Sequence, residues 1–131
     1  MLACAMDMMR ESPEGYFRQF DGCLIVEPRY AAATEVSAIY RDLAVLCIEK
    51  QIRRVVVRPG DDDMAGEHAL RVAMTIMLLA GLPPEFKMAV VADAAPIEAR
   101  YRSVERDLCS AGVDAKLFET EDGALRWLDE S

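Results

Sequence analysis

Histidine, tryptophan and cysteine are scarce in this chain, and each shortage removes a class of function. One histidine and one tryptophan stand among 131 residues. A single imidazole, His68, cannot build a histidine-rich metal site, and no neighbouring nucleophile or orienting group gives it a base to play. Cys4, Cys23, Cys47 and Cys109 stand too far apart for a C-x-x-C pair or for zinc-ligand spacing. They read as the free thiols of a reduced, cytoplasmic protein, the last three serving as small apolar residues in strands or helices. Gly60 and Gly66 are too few and too badly spaced for a phosphate-cradling loop. Ser103 and Ser110 lack the glycines of a nucleophile elbow, which removes the hydrolase pattern. No apolar run reaches the ~20 residues of a membrane-spanning helix. The longest, from Val72 to Leu82, is interrupted by Thr75 and Gly81. Cations are outnumbered as well: 15 Lys and Arg against 23 Asp and Glu give a net charge of −8, which argues against a nucleic-acid partner. Met1 to Asp7 has no cationic start and makes a poor secretory signal. Nothing in the chain specifies a cofactor or a metal.

What remains is an ordinary globular composition, 53% hydrophobic and 29% charged, of a length that fits one core. Residues 1–14 hold four of the eight methionines without a sustained period and read as a loose leader. Residues 15–131 read as one α/β domain. Tyr16 to Asp21 and Cys23 to Val26 form a strand pair around Asp21-Gly22, a dipeptide that favours the positive φ of tight turns. From Thr34, a candidate N-cap, to Lys50 the residues Val36, Ile39, Tyr40, Leu43 and Cys47 mark one face of a helix. Val55-Val56-Val57 reads as a strand buried on both sides, central in the sheet. A second helix runs from Met64 to Ala80 and stops at Gly81 and Pro83-Pro84. Phe86 to Asp93 is a further strand. Ile97, Tyr101, Val104, Leu108 and Ala111 stripe a third helix, and Ala115 to Phe118 is the last strand. A final helix starts at Thr120 or Asp122 and buries Ala124, Trp127 and Leu128. The expected fold is therefore a single mixed β-sheet of about five strands, an N-terminal hairpin followed by βα units, packed with about four helices.

This order of elements resembles the STAS superfamily, which includes the anti-sigma-factor antagonists of bacteria and the cytoplasmic domains of sulfate transporters. The likeness spans about residues 16 to 129. It is most specific in Lys87-Met88-Ala89-Val90-Val91-Ala92-Asp93, Ala99-Arg100, Lys116-Leu117-Phe118 and Ala124-Leu125-Arg126-Trp127-Leu128, which are similar to small standalone bacterial STAS-like proteins. The resemblance implies a non-catalytic regulatory module that binds a protein partner. In the antagonists, a loop reading Asp-Ser-Ser-Gly carries a hydroxyl that a partner kinase phosphorylates. The matching place here is Asp63-Met64-Ala65-Gly66, which keeps the Asp and Gly but has lost both hydroxyls. The phosphorylation switch of the family therefore cannot operate at this loop.

Two surfaces stand out for binding. One is the loop Asp61, Asp62, Asp63, Met64 and Gly66 with the start of the following helix, the family's usual contact region. Its carboxylates also cap a helix N-terminus, and consecutive side chains diverge too much to hold Mg²⁺. The other is the second helix, apolar over much of its circumference, where Met74, Met77 and Leu78 offer an interface for a protein partner or for self-association. A carrier of a small hydrophobic ligand, as in the CRAL-TRIO fold with which some STAS-like proteins are grouped, is the alternative; it requires an apolar cavity of ~300 Å³ or more.

Overall fold

The first chain reversal, at Asp21-Gly22, sets the edge of the sheet in the computed structural model, which describes residues 16–28, 31–60 and 65–130. The leader 1–14 and the residues Asp61, Asp62, Asp63 and Met64 lie outside the described residues. Strands β1 (Phe17–Phe20) and β2 (Cys23–Val26) pair antiparallel with Phe20 opposite Cys23, so the loop is two residues long. Asp21 and Gly22 take φ of 54° and 82°, the doubly left-handed geometry that matches strand twist in two-residue hairpins.

After the hairpin the chain alternates: α1 (Ala33–Lys50), β3 (Arg54–Val57), α2 (Ala65–Ala80), β4 (Lys87–Val91), α3 (Ala95–Ser110), β5 (Asp114–Phe118) and α4 (Glu121–Asp129). The result is an α/β fold with one mixed five-stranded sheet in the order β1-β2-β3-β4-β5 and four helices. β2 to β5 are mutually parallel, and Val55, Val56 and Val57 sit fully buried on the central strand. No helix among the described residues is long and apolar enough to cross a membrane.

Strand order equal to chain order has a geometric cost. Parallel crossovers are right-handed, so crossovers that all step the same way place their helices on one face. α1, α2 and α3 accordingly share a large core with Leu24, Val26, Val55, Val57, Met88 and Val90. The alternate strand residues point the other way. Cys23, Ile25, Val56, Ala89 and Val91 form a second, smaller core, closed by Ala124 and Leu128 of α4. One nine-residue helix thus covers the face that three longer helices leave bare.

Local details depart from the sequence reading where a neighbour competes. The N-cap of α1 is Ala32 rather than Thr34, because the Glu35 carboxylate reaches back to accept from the Ala32 N–H at 3.3 Å. Trp127 is half-buried rather than buried. Its ring packs on Phe118 at 5.5 Å between centroids, and the Lys87 ammonium lies 4.1 Å from the ring centre. Cys23 and Cys47 are buried as expected, but Cys109 is exposed on α3, where its thiol donates to the Ala115 carbonyl at 3.3 Å. Thr120 caps α4, accepting from the Gly123 N–H at 3.1 Å.

Candidate functional site

In open α/β sheets, ligands meet the carboxyl ends of the parallel strands, where the chain turns outward and polar side chains replace apolar ones. Here each buried strand run hands over to a charged residue at that end. Val26 is followed by Glu27, Val57 by Arg58, Ala92 by Asp93, and β5 leads through Thr120 to Glu121. β1 runs the other way, so its first residues, Phe17 and Arg18, lie beside Val26 and Ile25 at the same end. Backbone hydrogen bonds prolong the ladder and fix these residues. The Glu27 N–H donates to Tyr16 O at 2.7 Å, the Arg58 N–H to Val26 O at 2.8 Å and the Ala92 N–H to Phe118 O at 2.8 Å.

The five charged side chains form one chain of contacts across the sheet. Arg18 Nε donates to Glu27 Oε1 at 2.8 Å, and its Nη2 donates to Glu121 Oε1 at 2.8 Å. Arg58 Nη1 donates to the same Glu121 oxygen at 2.8 Å, while its Nη2 reaches Asp93 Oδ2 at 3.5 Å. Glu121 is the hub. Partial burial pushes its pKa up, but the hydrogen bonds from Arg58 and Arg18, with their charges, outweigh that and hold the carboxyl below the ordinary glutamate value. The Arg18 guanidinium is in turn pushed above its usual range, chiefly by the hydrogen bond to Glu27.

Chemically this arrangement holds charges in place rather than moving protons. Both guanidiniums are engaged, and their partner carboxylates accept hydrogen bonds from them. A shallow cavity of about 300 Å³ adjoins the network, lined by Asp93, Ala94, Glu98, Glu119 and Thr120, with the start of α3 at its wall. Among the described residues, no group of three His, Cys, Asp or Glu side chains converges to hold a metal ion.

The residues singled out in the sequence fall in different places. Asp61, Asp62, Asp63 and Met64 lie outside the described residues, between Arg58 and the start of α2. Gly66, in the first turn of α2, is buried and serves packing: a Cβ there would stand 2.8 Å from the Tyr101 hydroxyl. Next to it, the buried Glu67 carboxylate lies within 4.0 Å of Arg71 and Arg100, and its Oε1 receives no hydrogen bond. His68 is exposed. On α2, Met74 and Met77 are buried at 1% and 0% exposure and so cannot form an outer interface; the helix turns them toward the sheet with Leu70 and Ala73. Leu78 is exposed, and the outward arc is Val72, Ile76 and Leu79.

Sequence reasoning did not assemble the Arg18–Glu27–Glu121–Arg58–Asp93 network. The available signal was the regular charged residue just beyond each apolar run. Comparison with protein-family models, curated proteins and solved structures returns no match for this chain.

Proposed function

We propose that the chain is a non-catalytic, cytoplasmic STAS-like module that binds a protein partner at the carboxyl end of its parallel strands. The observation that carries this reading is the charged network there: two arginines and three carboxylates, fixed by backbone hydrogen bonds at the strand ends, form a rigid pattern suited to recognition. In sequence, Asp61 to Met64 stand between Arg58, at this end of the sheet, and α2, which supports a contact surface that combines them with the network. The free thiols Cys23, Cys47 and Cys109 fit a reducing compartment.

The test is affinity capture from the native host with wild type, Arg58→Ala and Met64→Asp. A partner held by wild type and lost by both folded variants supports the surface. Equal recovery by all three discards it. The rival carrier reading draws on a cleft of about 640 Å³ that includes Leu82, Pro83 and Phe86, although Glu85, Lys87 and Asp114 share its walls. Native mass spectrometry of the same gently purified protein separates the two: a retained lipid with no protein partner favours the carrier.

A further inference from the structure

Val72, Ile76 and Leu79 recur at steps of four and three along α2 and therefore share one arc of the helix. They are exposed at 44%, 39% and 85%, with Leu78 beside them at 36%. Thr75 completes the arc, and its hydroxyl is already committed to the Arg71 carbonyl at 2.9 Å. No charged residue occurs between positions 72 and 79. The nearest cation, Arg71, is drawn aside to α3, donating to Asp107 at 3.0 Å and to Ser103 at 2.9 Å. α2 connects β3 to β4 and so stands between α1 and α3 in its layer, which puts the arc at the middle of that face.

We propose that this arc is the seam of a homodimer, in which α2 packs antiparallel against α2 of a second copy about a two-fold axis near Thr75 and Ile76. The arc is complementary to itself: turned end for end, it sets the protruding Leu79 of each copy over the half-sunk Val72 of the other. Its neutrality lets two chains of charge −8 approach at this place, with the compensated Arg71–Asp107 pair at its rim.

The exposed parts of Val72, Ile76, Leu78 and Leu79 amount to about two whole aliphatic side chains per copy. That is well under the roughly 800 Å² per partner of a standard interface, so the dimer is reversible and forms in the micromolar range or above. The seam is distinct from the charged end of the sheet and does not depend on the partner proposed there.

Sedimentation of the full chain from about 5 to 500 µM tests the proposal. Wild type should rise toward twice the 14.6 kDa monomer mass, and Ile76→Glu, exposed enough to leave the fold intact by circular dichroism, should move the midpoint at least tenfold higher. Under mild oxidation, mixed Val72→Cys and Leu79→Cys chains in a Cys109→Ser background should cross-link to each other in preference to themselves. A monomer at every concentration overturns the proposal, as does a dimer indifferent to Ile76→Glu. Self-linking of Val72→Cys copies overturns the antiparallel seam. A monomer that dimerises only after removal of residues 1–15 overturns it too, since the leader would then be the occupant of the arc.

Discussion

At the scale of single residues, the clearest constraint is the meeting of Gly66 and Tyr101. Tyr101 is 2% exposed, and its hydroxyl leaves no room for a methyl on Gly66. Gly66→Ala gains helix propensity but overpacks a rigid aromatic neighbour, for an expected net loss of about 1–2 kcal/mol. Removing the hydroxyl relieves the clash. Gly66→Ala combined with Tyr101→Phe should therefore lose less stability than the two single changes added together, as measured by urea unfolding. Strict additivity would show that the ring moves aside freely. The sequence marks Gly66 as a family-like loop residue, and it cannot show that a residue 35 positions on fills the space above it. The same limit hides the hub of the charged network, since Arg18 and Glu121 are 103 positions apart.

At the scale of elements, the hairpin and the α3 stripe were legible because each rests on local chemistry: a turn dipeptide in one, a clean period in the other. α2 was legible as a helix but not in its rotation. Met74 and Met77 compete with Val72, Ile76 and Leu79 for the sheet, and a helix apolar on most sides does not say which arc faces inward. α4 depends on its first turn. Its Glu121 is held ionised by Arg58 and Arg18, so the stabilisation is complete above the ordinary glutamate value of 4.5 and is lost as pH falls through the lowered folded value. Glu121→Ala should cost about 2 kcal/mol at pH 7, because it strips two charge-assisted hydrogen bonds. The difference in melting temperature from wild type should shrink markedly at pH 3. An equal difference at both pH values would show that the carboxylate charge contributes nothing.

At the scale of the whole molecule, the two cores grade the thiols. Burial pushes the Cys47 thiol up to about 12, so in the native state it is protonated and sealed from reagents. The Cys23 thiol is raised mainly by burial, with Asp21 and Asp129 adding to the effect and Arg54 opposing it. Cys109, exposed on α3, needs no opening to react. Peptide-resolved alkylation at neutral pH should modify Cys109 on the order of a hundredfold faster than Cys47, whose rate should follow global unfolding as urea is added. Comparable rates would mean that the three-helix face opens locally.

The short C-terminal helix joins two properties that most folds keep apart. Nine residues are too few for a helix to persist alone, so α4 stays in place through Leu128 and Ala124 in the smaller core and through the salt links of Glu121. Were it to lift, the oily underside of the sheet would come into view in the same event that takes Glu121 from Arg18 and Arg58, leaving each guanidinium with one carboxylate, Glu27 and Asp93. Greasiness and the loss of one negative charge on that flank are thus one variable, set by whether a single clasp of about two and a half turns is shut.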